Sequence, residues 1–395
     1  MRLKHDIDLG YCTNIHRGET WEETFHALSH YTDKVRRRVA PGEPYGIGLR
    51  LSAAAAAELA SDVSLRDAFR RWMDERNAYV FTVNGFPYGT FHGGRVKEQV
   101  YSPDWSTPER LEYTNRLFDL IVELAPEGRS VSVSTLPGSF KEFIRPDTAE
   151  EQVDEICRHL TACSEHIESL REKTGRDVHL GLEPEPLGLF ETSAETAAFF
   201  DRLLRKTDAA GRERFLRNVG VNYDTCHLAV EFEEPADAIG RLREAGIRIS
   251  KIHLSSALKL IPNEETVARL ETFQDDVYLH QVVVRKGRDI DRRFKDLPEA
   301  ISWFGQNREN PGDEWRVHFH VPLHSQPEAL FADTRDHISD LLALLADEPE
   351  CCRHFEMETY TWEVLPEAMR SGDVVDQLVA EYDWCLGEFG RVGLA

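Results

Sequence analysis

Nine short apolar runs recur along the chain, and each is followed by a polar loop and a helix signal. They are Leu9–Thr13, Tyr45–Ser52, Ala78–Val83, Val131–Thr135, Val178–Glu183, Val219–Asp224, Ile247–Leu254, Val317–Val321 and Phe355–Tyr360. Near-continuous hydrophobicity is typical of parallel strands that are covered on both faces. Strands alternating with helices about eight times predict an α/β fold of the (β/α)8 TIM barrel type, with an open parallel sheet as the alternative.

Nine runs are one more than an eight-stranded barrel needs. One interpretation places Val317–Val321 in an elaborated loop after the seventh strand and makes Phe355–Tyr360 the eighth strand. The alternative count starts the barrel at Tyr45–Ser52 and treats Leu9–Thr13 as an extra segment. Local patterns do not decide between the two counts.

The stretch 255–315 contains a β-rich segment, Val277–Arg285, and a short helix signal near Pro298–Phe304. We interpret it as an insertion at the barrel rim within a single domain that spans residues 1–395. Most small (β/α)8 barrels need about 250 residues, so the length leaves room for such an insertion.

The charge balance restricts the partners. The chain has 47 Lys and Arg against 70 Asp and Glu, a net charge of −23. Binding to a phosphate backbone usually needs a basic face, so a nucleic-acid partner is not expected. No apolar stretch approaches the ~20 residues of a membrane span, and the N-terminal residues lack the apolar core of a secretory signal. The seven cysteines are then expected to be reduced, in a cytoplasmic protein.

Acidic and imidazole side chains end four of the runs, at Glu183, Asp224, His253 and Glu358. In a TIM barrel these ends meet at the catalytic face. Glu356 and Glu358 lie on the same face of their strand, and we prefer Glu358 as the ligand because it lies nearer the C-terminal end. Three carboxylates would repel one another without a cation. The set therefore predicts a divalent metal site, and its mixed ligands suit Mn, Zn, Fe or Co rather than Ca.

Further imidazoles are candidates for the same region. His227 follows three residues after the aspartate and can return toward the metal. In His318-Phe-His320 two imidazoles share one side of an extended segment, and we assign His320 to the metal and His318 to the substrate. Cys226 is interpreted as a buried structural thiol.

Other polar side chains near the predicted strand ends are candidates for substrate binding. The aromatic and glycine-rich loop Phe86–Gly94 is a candidate lid over the site. The substrate-binding candidates besides His318 are Asn14, His16, Arg50, Asn84, His92 and Glu185.

Three motifs resemble those of the xylose isomerase-like superfamily, which includes sugar isomerases, sugar epimerases and endonuclease IV-type enzymes. Glu-Pro-Glu-Pro at 183–186 is similar to the Glu-Pro-Lys-Pro of xylose isomerases, with Glu185 in place of their catalytic lysine. Asp-Thr-Cys-His at 224–227 is similar to the zinc-binding motif of the endonucleases. His318-x-His320 resembles their Asp-x-His loop, with the aspartate replaced.

Three further segments resemble the EboE family of metabolite traffic proteins, and the likeness covers nearly the whole chain. They are Gly-Tyr-Cys-Thr-Asn-Ile-His (10–16), Gly-Ile-Gly-Leu-Arg-Leu-Ser (46–52) and His-Phe-His-Val-Pro-Leu (318–323). That family belongs to the same superfamily, and its members are encoded beside a prenyltransferase-like membrane protein. The resemblance implies a role in secondary-metabolite processing or traffic, with a functional link to such a membrane protein.

The residues and the resemblance together predict a metal-dependent isomerase or epimerase of a small hydroxy-carbonyl molecule. Sugar epimerases of the superfamily move a proton with their metal-bound glutamates, which implies that role for Glu183 and Glu358. One alternative is a metal-dependent hydrolase of the endonuclease IV type. The other is a non-catalytic metabolite-binding protein with a degenerate site.

Overall fold

The architecture is that of a computed structural model, which describes residues 1–325, 330–370 and 372–395. Within these residues, eight parallel strands form one sheet in the order β1-β13-β7-β6-β5-β4-β3-β2. A bridge between Cys12 and Gly48 joins the two outer strands, so the sheet is a nearly closed barrel. Its strands are β1 (Asp8–Tyr11), β2 (Tyr45–Arg50), β3 (Ala78–Asn84), β4 (Val131–Thr135), β5 (Val178–Leu182), β6 (Val219–Asp224), β7 (Ile249–Leu254) and, after the second sheet, β13 (His354–Met357).

Helices surround the barrel and cover its outer face. Several begin at the expected capping residues: Thr20 accepts from the Glu23 amide, and Ser52 accepts from the Ala55 amide. The helices are α1 (Trp21–Ala27), α2 (Asp33–Val39), α3 (Ala53–Ser61), α4 (Val63–Asp74), α5 (Pro108–Leu124), α6 (Ala149–Thr174), α7 (Ser193–Arg205), α8 (Ala209–Asn218), α9 (Thr225–Val230), α10 (Pro235–Glu244), α11 (Glu264–Leu270), α12 (Leu297–Gln306), α13 (Arg335–Asp347) and α14 (Val374–Arg391).

The prediction of a (β/α)8 TIM barrel is confirmed, and the open-sheet alternative is wrong. The strand count is settled by the pairing of β1 with β13, in which Leu9 lies opposite Phe355. The first run is therefore the first barrel strand, and the count that starts at Tyr45 is wrong. Val317 belongs to a second sheet outside the barrel.

The chain after β7 builds this second sheet, an antiparallel one in the order β10-β9-β11-β8-β12. It has its own apolar core around Trp315 and Phe273. The fold thus carries the elaborated loop predicted after the seventh strand. The strands are β8 (Leu258–Leu260), β9 (Val282–Lys286), β10 (Asp289–Phe294), β11 (Glu314–Val317) and β12 (Ala332–Asp333).

No helix within the described part of the chain is both long and apolar enough to cross a membrane.

Candidate metal centre

Four acidic and imidazole side chains converge at the C-terminal end of the barrel. Glu183 follows β5, Asp224 ends β6, His253 lies in β7 and Glu358 follows β13. These four strands are neighbours in the sheet, so their ends meet at one point. One potential ligand atom from each lies within 4.8 Å of the others, and all four residues are buried. The structure therefore brings together the four residues that the sequence predicts for the first metal position.

His253 lies at the centre of this cluster. Its Nδ1 is 3.2 Å from Glu183 Oε1, 3.0 Å from Glu358 Oε2 and 3.5 Å from Asp224 Oδ2. Burial alone would lower the pKa of His253, but Glu358 and Glu183 raise it well above its usual value. Without a cation, the imidazole thus holds a proton among the carboxylates.

Neighbouring amides and hydroxyls fix the carboxylates. Asn14 and Asn84 donate to Glu358 Oε1 at 2.8 and 3.1 Å. Glu183 Oε2 accepts from Asn222 Nδ2 at 2.7 Å. These donors hold each group in one orientation before any ligand arrives, which is how binding sites reduce the entropy cost of binding.

One carboxylate oxygen in the cluster lacks a partner. Asp224 Oδ1 accepts from Ser255 Oγ at 2.6 Å and from the His227 amide at 3.0 Å. Asp224 Oδ2 is buried and has no hydrogen-bond partner among the described residues. A buried anionic oxygen without a partner is costly unless a cation or donor completes it. The donor set and this oxygen fit a divalent cation.

Three more imidazoles lie beside this cluster and form a second group of possible metal ligands. His227 Nδ1 donates to Pro184 O at 3.1 Å, and His320 Nδ1 donates to Glu358 O at 2.8 Å. His318 Nδ1 donates to Gln281 Oε1 at 2.7 Å. In the neutral form of each ring the proton is therefore on Nδ1, and Nε2 has the lone pair that a cation would use.

The free lone pairs of this second group point at one another. His318 Nε2 and His320 Nε2 lie only 3.2 Å apart, an arrangement that a shared proton or cation relieves. Asp224, His227 and His320 form one possible ligand group, and Cys226 lies with His318 and His320 in another. The position of Cys226 was not anticipated from its interpretation as a structural thiol.

Burial and neighbouring charges shift the pKa values of these groups in different directions. Burial, with support from Glu183 and Asp224, raises the pKa of Glu185 to about 8. Burial also lowers the pKa of His318 well below its usual value. The pKa of Asp224 lies well below its usual value because His227 and His253 outweigh the effect of burial. At neutral pH Glu185 and His318 are therefore uncharged. Asp224 is ionised beside the protonated His253.

An aromatic roof lies over the cluster and closes a cavity that Glu183 and Glu358 line from below. Phe91, Tyr278 and Tyr360 contact one another with ring centroids 5.0–5.3 Å apart. Phe91 comes from the loop predicted as a lid, whereas Tyr278 comes from the chain after β7. The cavity therefore has a polar floor and an apolar ceiling, as small-molecule sites often do.

The substrate-binding candidates divide into two sets. Asn14, Asn84, Glu185 and His318 line the cavity. The other three, His16, Arg50 and His92, lie behind its wall and bind other parts of the protein. His16 Nε2 is 2.9 Å from Tyr11 Oη, Arg50 donates to the Gly18 and Gly89 carbonyls, and His92 Nδ1 is 2.7 Å from Tyr278 Oη.

Sequence reasoning missed several residues around the centre. Lys251 and Asn222 each lie two residues before a candidate ligand on the same strand, and therefore on the same face. A polar residue at that spacing within an apolar run was the available signal. Tyr278 and Gln281 carried no such signal, because they reach the cavity from the chain beyond the barrel strands.

Neither a protein-family model nor a curated protein sequence matches the chain. Among solved structures, it is similar to a D-tagatose 3-epimerase-like protein (12% identity, 98% of each chain, TM-score 0.51). It is also similar to a xylose isomerase domain protein from Planctomyces limnophilus (14% identity, 99% of this chain and 98% of that chain, TM-score 0.49). A third match is an AP endonuclease, family 2, from Brucella melitensis (11% identity, 76% of this chain and 98% of that chain, TM-score 0.37).

At such identities the likeness concerns the fold. Eight parallel strands, their surrounding helices and the full-length match to the epimerase-like structure agree on one architecture. In fold, this chain is a (β/α)8 TIM barrel similar to that of the D-tagatose 3-epimerase-like protein.

Proposed function

We propose that this protein is a metal-dependent isomerase or epimerase of a small hydroxy-carbonyl metabolite. The observation that carries the proposal is the cluster of Glu183, Asp224, His253 and Glu358, in which one buried oxygen of Asp224 accepts no hydrogen bond. These residues would hold the first cation, and His227 and His320 would add ligands beside it. When bound, such a cation supplies Lewis-acid polarisation of a substrate carbonyl or hydroxyl oxygen.

The chain's own groups would move the proton. Glu183 and Glu358 line the cavity floor, and each carboxylate can take a proton from a carbon next to a carbonyl and return it. The amides of Asn14 and Asn84 hold Glu358 in place for that transfer. Glu185 and His318, which also line the cavity, would contact substrate oxygens.

The wider setting follows from the sequence resemblance. The EboE-like segments support a role in secondary-metabolite processing or traffic, beside a prenyltransferase-like membrane protein. The charge of −23 opposes a nucleic-acid partner and supports a small-molecule substrate.

The first test is metal content. The protein is purified without a histidine tag or chelator, beside the Glu183→Ala/Asp224→Ala variant, and bound metal is measured by plasma mass spectrometry. One or more Mn, Zn, Fe or Co per chain, lost in the variant, is the expected result. A screen of sugars and polyols with that ion then tests turnover. Metal-free protein that cannot be reloaded would refute the proposal and favour a metabolite carrier.

A second candidate is a metal-dependent hydrolase. The 3.2 Å approach of His318 Nε2 to His320 Nε2 favours it, as does the possible ligand group that His227 forms with Asp224 and His320. Two cations are typical of phosphodiester hydrolysis. Lys97 is the one Lys or Arg among the described residues that line the cavity, and its Nζ binds Asp296 at 2.6 Å. A DNA substrate is therefore not expected, and nicking of abasic duplex by the metal-loaded protein would show the opposite.

A further inference from the structure

A buried ion pair lies inside the barrel next to the metal centre. Lys251 Nζ is 2.6 Å from Glu356 Oε2, and neither side chain is exposed at all. Lys251 precedes His253 by two residues in β7, and Glu356 precedes Glu358 by two along β13. Because side chains two apart share a face, the pair lies one layer deeper in the barrel than the candidate ligands. Burying such a pair is costly, and the proposed reaction does not use it directly.

The pair acts on His253 through a second contact. Glu356 Oε2 is 3.0 Å from His253 Nε2, and Glu356 lies opposite His253 in the paired strands. An ionised carboxylate can only accept, so the imidazole must carry a proton on Nε2. The ammonium of Lys251 lies 2.6 Å from the same oxygen and pairs with this carboxylate in its ionised form. Nδ1 is the nitrogen that faces Glu183 and Glu358, and with Nε2 protonated it can offer a lone pair to a cation.

A glycine makes the space for this carboxylate. A Cβ at Gly48 would lie 1.9 Å from Glu356 Oε1 and 2.7 Å from its Cδ. Only glycine at position 48 therefore lets the Glu356 side chain occupy its observed place beside His253. This accounts for the Gly-Ile-Gly of the second strand, which lacks the remaining glycine of a dinucleotide-binding motif.

We propose that Lys251, Glu356 and Gly48 are positioning residues that fix the Nε2–H tautomer of His253 and aim its Nδ1 at the metal. The proposal rests on the proposed metal site and adds the device that orients its imidazole ligand. Carboxylates that accept from the second nitrogen of a metal-binding histidine serve the same purpose in many metalloproteins.

The test measures Zn²⁺ affinity by competition with a chromophoric chelator, and the unfolding midpoint of the metal-free protein. The Lys251→Met/Glu356→Met variant removes both charges together, so it leaves no unpaired buried ion. It should bind Zn²⁺ about 10–100-fold more weakly than the wild type. Lys251→Met/Glu356→Gln restores an acceptor for Nε2–H and should recover part of the loss. If Lys251 and Glu356 were only structural, two variants with equal unfolding midpoints would not differ in Zn²⁺ affinity in this way.

Two glycine variants provide a matched comparison on the same strand face. Gly48→Ala should displace the carboxylate and weaken Zn²⁺ binding. Gly46→Ala is the control, because its Cβ would meet the Phe81 ring at 3.1 Å, and its three nearest atoms belong to Phe81 and Met1 rather than to Glu356. If Gly48→Ala does not fold, the test of the positioning role rests on the Lys251 and Glu356 variants.

The outcomes separate this proposal from the proposed function. Zn²⁺ binding by Lys251→Met/Glu356→Met within about twofold of the wild type would overturn the positioning role, because loss of such partners typically costs at least tenfold. If the wild type itself binds no Zn²⁺, the metal proposal fails, and ¹⁵N NMR of labelled histidine still decides the tautomer. An Nε2–H on His253 in the wild type that is lost in Lys251→Met/Glu356→Met supports the positioning role, and a wild-type His253 without an Nε2–H overturns it.

Discussion

Glu381 ties together two segments that carry candidate ligands. It lies on α14 with its side chain fully buried, and its Oε1 accepts from Thr359 Oγ1 at 2.9 Å and from the Leu323 amide at 3.1 Å. Thr359 follows Glu358, and Leu323 follows His320 by three residues. Burial raises the pKa of Glu381 from 4.5 to about 8, because the two hydrogen bonds do not offset the loss of water.

The raised pKa of Glu381 predicts the direction in which the stability of the protein changes with pH. Between pH 4.5 and pH 8 the folded state binds the Glu381 proton more tightly than the unfolded state, so stability falls as pH rises through that window. The pKa difference corresponds to about 5 kcal/mol at the alkaline end. Most of this cost, about 3 kcal/mol, accumulates between roughly pH 5 and pH 8. Glu381→Gln keeps an acceptor for both donors and does not ionise.

The assay is urea unfolding of wild type and Glu381→Gln at pH 5 and pH 8. Other titrating groups are common to both proteins, so the change in their stability difference reports position 381 alone. We expect Glu381→Gln to gain about 3 kcal/mol on the wild type between the two pH values. Glu388→Gln, two turns further along α14, is the control and should show no such gain. Parallel pH profiles of wild type and Glu381→Gln would refute the reasoning.

Three further predictions concern the centre and its surroundings. Glu358→Gln should abolish turnover in steady-state assays and leave the circular dichroism spectrum unchanged, because glutamine still accepts from Asn14 and Asn84. Zn²⁺ affinity, measured by chelator competition, should rise with pH through neutrality, because Asp224 and Glu185 raise the pKa of His227 and its proton competes with the metal. A pH-independent affinity would contradict this. Arg293→Ala should destabilise the protein in urea by about 1–3 kcal/mol, because Arg293 donates to the buried Glu231 carboxylate but is itself 38% exposed. An unfolding free energy equal to that of the wild type would contradict this.

The repeated apolar runs predicted the barrel because parallel strands buried on both faces leave a strong local signal. The strand count could not be predicted in the same way. It depends on the pairing of Asp8–Tyr11 with His354–Met357, which joins the two ends of the chain. The run at Val317 is equally apolar, yet it pairs with Leu258 in an antiparallel sheet. Local hydrophobicity thus predicts strands, and only long-range pairing assigns them to sheets.

The candidate ligands were predictable because each ends an apolar strand in the same direction, and parallel barrel strands bring those ends together. The residues that hold these candidate ligands in place were not predictable from the sequence. Asn222 and Lys251 lie within apolar runs, where a polar residue has no visible partner in the sequence. Their roles follow from contacts across strands, such as that of Lys251 with Glu356 over 105 residues of chain. The roof residue Tyr278 was hidden for the same reason.

The interior of this barrel is polar well below its catalytic end, whereas barrel interiors are usually dominated by branched aliphatic residues. His354 Nδ1 lies 2.8 Å from Ser132 Oγ, and His179 Nδ1 lies 2.6 Å from Ser250 Oγ. With Lys251 and Glu356 above them, these groups fill the barrel with hydrogen bonds between strands. In a low-dielectric interior each such bond is strong when complete and costly when broken. The strands that carry the candidate ligands are therefore joined inside the barrel by polar contacts, and one of these, the pair of Lys251 and Glu356, also reaches His253.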